Sequence, residues 1–159
     1  MRRLFLVLAG FFLLGCTVSH PTLWEKTLPP ESHPALAVRL SQAGSNRAGL
    51  EKAFELTPPA LHPYVALLIE RMPTVDLASC SPKLLARTVM LSDSLRRILP
   101  YAASIPEEIY RDYVLPLRVS QEPLEDFRPF FMAQLFSTVM DCTTIEGAAV
   151  AVNRWCGSK

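Results

Sequence analysis

An apolar repeat of three and four positions is the clearest pattern in the chain, and it begins after Ser81-Pro82. This pair is typical of a helix start, because a serine hydroxyl caps the first amides and proline needs no amide hydrogen there. Pro100 ends the pattern, because proline cannot continue a helix. The repeat predicts one long helix with a buried stripe and a solvated face. The stripe comprises Leu84, Thr88, Leu91, Leu95 and Ile98, and the solvated face comprises Arg87, Asp93, Arg96 and Arg97.

Two earlier stretches show the same helical period. The first follows Asn46, a predicted cap, and stops at Pro58-Pro59. The second runs from residue 64 to residue 72 and stops at Pro73. The inward side chains are expected to be Leu50, Ala53 and Phe54 in the first helix, and Leu67, Leu68 and Ile69 in the second.

Three later helices are predicted from their capping residues. Ser104 with Glu107, and Thr143 with Glu146, have the spacing of a capping box, in which each side chain bonds to the other residue's backbone. Asp126 is the predicted cap of the helix between them. The expected buried stripes are Ile109, Tyr110, Tyr113 and Val114; Phe127, Phe131, Leu135 and Val139; and Ala148, Ala149, Val152 and Trp155.

The fold class follows from these periods. No stretch alternates apolar and polar positions for long enough to predict a strand. Prolines separate the helical stretches, and no larger repeated unit is visible. We therefore predict an all-α fold, an irregular bundle of about six or seven short helices over residues 35–159.

The first 16 residues have the layout of an export signal. Arg2 and Arg3 precede an uncharged apolar run over residues 4–14, which is shorter than the about 20 residues needed to span a bilayer. The sequence LLGC at residues 13–16 resembles the lipobox of bacterial lipoprotein precursors. This resemblance implies cleavage before Cys16 and a lipid on its sulfur. The alternatives are an ordinary signal peptide with a chance cysteine, or an uncleaved anchor.

The segment between the lipobox and the bundle contains four prolines and few apolar side chains. Such a composition is typical of an extended tether. We therefore predict a signal peptide at residues 1–15, a lipidated tether at residues 16–34 and a helical domain at residues 35–159. This domain is expected in the cell envelope, on the periplasmic or outer side of a membrane, and held there by the lipid.

The charge of the mature chain is close to zero. Removal of residues 1–15 takes away two arginines and leaves 14 Lys and Arg against 15 Asp and Glu. A near-neutral domain without a basic stripe has no electrostatic basis for binding nucleic acid. We therefore expect contacts with a membrane, through the lipid, and with protein.

Three cysteines follow Cys16, namely Cys80, Cys142 and Cys156. Cys142 and Cys156 would lie about 21 Å apart along one helix, beyond the limit of about 7 Å between the α-carbons of a disulfide. A bond from Cys80 to either one remains open. The favoured interpretation is small buried side chains, with Cys156 at an exposed chain end. Their spacing does not match a zinc site.

No catalytic constellation is complete among these residues. A thiol nucleophile needs a histidine base within hydrogen-bond reach, and His20 and His33 lie in the predicted tether. His62 is interpreted as a chance histidine in a turn before Pro63. Acidic side chains cluster at predicted helix starts, where the helix dipole accounts for them. We therefore predict no enzymatic activity, no cofactor and no metal site.

Aromatic side chains recur at helical spacing in the second half of the chain. They are Tyr110, Tyr113, Phe127, Phe130 and Phe131. Such stripes usually belong to a core, and we interpret them so. The alternative is an aromatic binding platform.

Four short segments of the chain form a series. They are Asn46-Arg47 with Leu50-Glu51-Lys52-Ala53; Leu68-Ile69-Glu70-Arg71-Met72-Pro73 with Asp76-Leu77; Ile105-Pro106-Glu107-Glu108 with Leu115-Pro116; and Asp141-Cys142-Thr143 with Ala148-Ala149 and Asn153. In order and spacing, the series resembles the helical region that precedes the catalytic core of bacterial transglutaminase-like proteins. The family's core holds a Cys-His-Asp site.

The resemblance stops where that core would begin. No histidine follows His62, and Cys156 lies at the end of a predicted helix, whereas the family's nucleophile lies at a helix start. The resemblance therefore implies a non-catalytic, membrane-tethered leader module. The alternative is a truncated part of a transglutaminase-like hydrolase or transferase whose core lies beyond Lys159. A leader without its core is expected to leave an apolar face uncovered around Val152 and Trp155, and to dimerise or bind a partner through it.

Overall fold

The computed structural model describes residues 20–118 and 122–158, so the predicted signal peptide and the predicted lipidation site Cys16 lie outside the described residues. The described residues contain helices and no strand, and the predicted all-α fold is confirmed. Their nine α-helices exceed the predicted number because short turns such as α1 and α5 are also helical. No helix in these ranges has the length and apolar character needed to cross a bilayer. The helices are α1 (Leu23–Thr27), α2 (His33–Gln42), α3 (Arg47–Glu55), α4 (His62–Arg71), α5 (Thr74–Leu77), α6 (Pro82–Ile98), α7 (Glu107–Ile109), which continues as a π-helical turn over Tyr110–Val114, α8 (Arg128–Val139) and α9 (Ile145–Gly157).

One hydrophobic core extends from α1 through α6 to the segment after α7. In it α3 packs against α6, and α2 packs against α4. The predicted inward side chains of α3 and α4 are buried, which confirms their periods. Burial of each large apolar side chain contributes about 1.5–3 kcal/mol. Most of the buried apolar side chains of the described residues therefore lie before residue 118.

The predicted end of the tether at residue 34 is wrong. The chain is already helical in α1, whose Trp24 is buried in the core and which packs against α3. Pro30 and Pro34 stand in the first turns of helical segments, where proline is tolerated. The folded domain therefore begins at α1, and the prolines shape helix starts in it.

The long helix α6 has the predicted start but a different buried face. Ser81 caps it by accepting a hydrogen bond from Leu84 N at 3.1 Å. In the predicted stripe Thr88 is buried, but Ile98 is exposed and the three leucines are half-buried. The helix has a second apolar face, on which Leu91 and Leu95 border the space next to α8. The side chains that it buries are Leu85, Ala86, Thr88, Val89 and Ser92.

Two predicted caps are wrong because other groups bind the capping side chains. The Ser104 hydroxyl donates to Tyr101 O at 2.6 Å, and α7 begins without a side-chain cap. Asp126 forms an ion pair with Arg87 at 2.8 Å, and α8 also begins without one. Local spacing therefore located these helices, although contacts with other residues displaced the caps. The predicted buried stripe of α7 and its π-helical turn is wrong except at Tyr110, because Ile109, Tyr113 and Val114 are exposed.

Two further caps also differ from the prediction. Asn46 does not cap α3, because its Nδ2 donates to Leu77 O at 2.8 Å and to Cys80 O at 2.9 Å. Thr144, one position after the predicted Thr143, caps α9 by accepting a hydrogen bond from its third amide. Asn46 thereby joins the start of α3 to the turn after α5.

A buried ion pair links α5 to the segment after α7. Nη2 of Arg118 lies 2.6 Å from Oδ1 of Asp76. The two side chains are 18% and 7% exposed, respectively, so water screens the pair little. A second arginine hydrogen bond reaches Glu122 O at 2.6 Å. The pair therefore fixes the chain where it leaves the core.

His62 is a structural residue, and its interpretation as a chance turn histidine is wrong. The side chain is fully buried at the start of α4. Its Nε2–H donates to Phe54 O at 2.9 Å and to Thr57 O at 3.0 Å, and its Nδ1 lies 2.6 Å from Thr27 Oγ1. The imidazole therefore ties α4 to the ends of α1 and α3.

The last two helices form a hairpin that lies outside this core. α8 and α9 pack against each other, and Val139 and Ala148 are their buried side chains. The stretch from Pro129 to Met140 contains no charged residue. A helix with so little charge is normally buried over much of its surface. The core described here leaves much of α8 uncovered.

Candidate functional site

The candidate site is the α8–α9 hairpin with the space between it and α6. Large apolar side chains of the hairpin are exposed: Phe130 by 61% and Val150 by 50%. Phe131, Met140 and Ile145 are exposed as well. Exposed apolar side chains that lie together, as the rings of Phe130 and Phe131 do at 5.4 Å, can form a surface that binds another molecule.

The two residues predicted to centre the uncovered face are less exposed than these. Val152 and Trp155 are half-buried. Val152 lines a cavity next to α8, so its side chain lies on the inner side of the hairpin. The helical period of α9 identified an apolar face. The more exposed apolar side chains of the hairpin, however, are Phe130, Phe131, Met140, Ile145 and Val150.

Two spaces separate α8 from α6. A groove of about 760 Å³ lies between Met90 and Leu91 of α6 and Ala133 of α8. A smaller cavity of about 310 Å³ lies between the second half of α6, the 102–114 segment and α8. Met132 and Phe136 border both spaces. We call the smaller space the α8 cavity.

The predicted apolar stripe of α8 lines the α8 cavity. All four of its members border the space, and they are Phe127, Phe131, Leu135 and Val139. Leu95 of α6 and Leu99, the residue after this helix, border it as well. The period therefore identified one face of α8 correctly, but this face borders an open space instead of a close-packed core.

Arg96 and Glu107 form a polar network beside the α8 cavity. Arg96 Nη1 donates to Glu107 at 2.6 Å, and Nη2 donates to Ile105 O at 3.1 Å. The hydroxyl of Tyr64 donates to Glu107 at 3.0 Å. The hydrogen bond from Arg96 lowers the pKa of Glu107, and Glu107 raises the pKa of Arg96. The Arg96 guanidinium and the Glu107 carboxylate therefore hold each other in place.

Tyr110 lines the α8 cavity and is the most buried member of the predicted aromatic set. It is 1% exposed, and its hydroxyl has no hydrogen-bond partner among the residues that the structure describes. Its ring lies 4.4 Å from the Arg96 guanidinium carbon. Burial raises the pKa of Tyr110 to about 12, so the group remains a hydrogen-bond donor at neutral pH. An unpaired buried hydroxyl costs about 1–3 kcal/mol.

Arg128 borders the same cavity and caps the π-helical turn. Its Nη2 donates to the carbonyls of Val114, Leu115 and Pro116 at 2.9, 3.2 and 2.7 Å. Within residues 20–118 and 122–158, no carboxylate forms an ion pair with it. Burial lowers the pKa of Arg128. Its positive charge is therefore partly buried and forms no ion pair in this part of the chain, although the charge of Asp126 favours it.

The aromatic set is divided between the core and the surface. Tyr110 is buried and Phe127 is half-buried, but Tyr113 is 77% exposed, and Phe130 and Phe131 are exposed. The interpretation of the whole set as core is therefore wrong for three members. The π-helical turn explains the exposure of Tyr113. This short segment buries Tyr110 on one side, and Tyr113 lies on the side that faces solvent.

The cysteines are separate in the described structure and form no disulfide. Cys80 is buried, Cys142 is half-buried and Cys156 is exposed. Burial raises the pKa of Cys80 to about 12, so its thiol is not a nucleophile at neutral pH. The hydrogen bonds of His62 join it to residues other than these cysteines. In the described ranges, no three potential ligands of a metal ion lie together.

A scan of protein-family models finds no match to this chain. Searches of curated proteins and of solved structures also find no match. The resemblance to the leader region of transglutaminase-like proteins therefore stays a prediction from the sequence, as does the lipid on Cys16.

Proposed function

We propose that this chain is a lipid-anchored, non-catalytic helical module of the bacterial cell envelope, which binds protein through its last two helices. The exposed apolar surface of the α8–α9 hairpin is the observation that carries the binding part of the proposal. The apolar run and the LLGC sequence at residues 13–16 support the anchor. Two acyl chains suffice for stable attachment, since each buried methylene contributes about 0.8 kcal/mol.

Substitution of Cys16 by alanine is expected to abolish lipid labelling. Cells that express the wild-type chain and are fed an alkyne analogue of palmitate should yield a labelled protein, whereas Cys16→Ala should carry no label. Cys156→Ala is the matched control, because Cys156 is an exposed thiol that the proposal leaves unmodified. Equal labelling of wild type and Cys16→Ala would contradict the proposed anchor.

Photo-cross-linking in native membranes tests the hairpin as a protein-binding surface. A photoreactive amino acid at Phe130 or Val150 is expected to give discrete adducts with protein, because these apolar side chains are exposed in the hairpin. The same amino acid at Val38 or Val75 should give none, since these are exposed valines of α2 and α5 in the main body. Equal adduct yields at all four positions, or none at the hairpin, would contradict the proposal.

The resemblance to transglutaminase-like leaders gives the second candidate. In that case the hairpin would contact a catalytic core encoded beyond Lys159, and the exposed apolar side chains of α8 and α9 would fit such a contact. The intact mass of the native protein separates the two candidates. A mass equal to residues 16–159 plus acyl chains supports the module, and a mass larger by a domain supports the truncated enzyme.

A further inference from the structure

One face of α9 points away from α8 and is exposed. On the other face, where α9 packs against α8, Ala148 is buried and Val152 lines the α8 cavity. Val150 lies between these two residues in sequence, and at about 100° per residue it falls on nearly the opposite side of the helix. Its side chain is 50% exposed. The outer face of α9 therefore centres on Val150.

Two opposite charges flank Val150 on this outer face. Glu146 lies four residues before it and Arg154 four residues after it, and both are exposed. Each lies about 6 Å from Val150 along the helix axis and about 40° from it around the axis. Within residues 20–118 and 122–158, neither side chain forms an ion pair. The face therefore carries an acid, an apolar side chain and a base in one line.

This line of side chains is complementary to itself when two copies of α9 pack antiparallel. A two-fold axis beside Val150 brings the two valines together and places Glu146 opposite the partner's Arg154 at both ends of the contact. A parallel pair would place like charges opposite each other, which is unfavourable. Gly147 and Gly157 lie on the same exposed face. Because they have no side chains, the two helix axes can approach closely.

We propose that α9 binds the α9 of a second copy of this chain, antiparallel and with the two-fold axis at Val150. The inference rests on the proposed function, because it names the protein that the hairpin binds. Ion pairs at the edge of such a contact fix its orientation more than they add affinity. Confinement of both copies to one membrane would raise their effective concentration. We therefore expect the dimer in cells that express the full chain.

Cysteine cross-linking in intact cells tests the register, in a chain whose exposed Cys156 is replaced by serine. Val150→Cys is expected to give a disulfide-linked dimer on oxidation with copper phenanthroline, because the two introduced thiols meet at the axis. Asn153→Cys is the matched control, since Asn153 is exposed on the same face. The two copies of residue 153 would lie about 9 Å apart along the axis, beyond the limit of about 7 Å between α-carbons. Equal yields from the two variants, or none from Val150→Cys, would overturn the proposal.

Reversal of the two charges tests the pairing. Glu146→Arg alone and Arg154→Glu alone each replace attraction by repulsion, and capture between differently tagged copies of either variant is expected to fall about tenfold. A chain with Glu146→Arg should nevertheless capture a chain with Arg154→Glu as well as wild type captures itself, because two cationic positions then face two anionic ones. This recovery requires both variants to be folded.

Glu55→Arg is the control for the charge change itself, because Glu55 is an exposed residue of α3 in the main body. Its self-capture should equal that of wild type. Failure of the mixed pair of α9 variants to recover would overturn the proposal. An equal loss in Glu55→Arg and Glu146→Arg would overturn it as well.

The protein that Val150 contacts separates this inference from the proposed function. Photo-cross-links from Val150 that double the mass of the chain would support both. Adducts with a different protein alone would leave the proposed function standing and overturn the binding of a second copy. The absence of protein adducts at both Phe130 and Val150 would overturn both.

Discussion

Substitution of Asp76 by alanine is expected to lower the free energy of unfolding by about 3–5 kcal/mol, the range for removing one partner of a buried ion pair. Arg118 would then keep its charge in a site that is largely closed to water, with the Glu122 carbonyl as its remaining side-chain partner among the described residues. Urea unfolding followed by circular dichroism measures the change. The free energy of unfolding of a folded domain is about 5–15 kcal/mol in total. This one substitution would therefore remove much of it.

Two further variants separate this effect from a general sensitivity to charge removal. Asp112→Ala breaks an ion pair with Arg71 whose side chains are about half exposed, and the loss is expected to be about 0–1 kcal/mol. The double variant Asp76→Leu with Arg118→Met replaces both charges by apolar groups and should recover most of the stability. Equal losses in Asp76→Ala and Asp112→Ala would show that the buried pair has no special role.

His62→Ala is expected to destabilise the domain by roughly 3–4 kcal/mol, because it leaves a cavity and removes hydrogen bonds in the core. The imidazole contacts Thr27, Phe54 and Thr57, so the loss would loosen the ends of α1 and α3. Thermal unfolding of the variant measures this loss. His20→Ala is the matched control, since His20 is exposed; equal melting temperatures of the two variants would contradict the structural role of His62.

The helices with strong local signals could be predicted from the sequence. The start of α6 at Ser81-Pro82 and the buried residues of α3 depend on spacing and on caps within a few positions, and both are confirmed. The local signal of α1 was missed, because Thr22 and Glu25 have the spacing of a capping box and form one in the structure. Its five residues are too few to show a period, and the contact of Trp24 with the core, which fixes the helix, involves residues distant in sequence.

The candidate site could be predicted only in part, because it depends on contacts between residues that are distant in sequence. Helical spacing shows that Phe127, Phe131, Leu135 and Val139 share one face of α8, but it does not show what lies opposite that face. The presence of a cavity there depends on how α8 approaches α6 and the π-helical turn. The unpaired hydroxyl of Tyr110 depends on the same approach, so no local signal could have identified it.

The early start of the fold would limit how far a lipid-anchored domain could move from the membrane surface. On the proposed anchor, six residues separate Cys16 from Leu23. Even when fully extended, the seven Cα–Cα steps from Cys16 to Leu23 span only about 25 Å, at about 3.5 Å per step. The hairpin would therefore stay within a thin layer above the lipid surface. Other molecules held in that layer would be present around it at a high effective concentration. Diffusion in the plane of the membrane would then bring it to its partner.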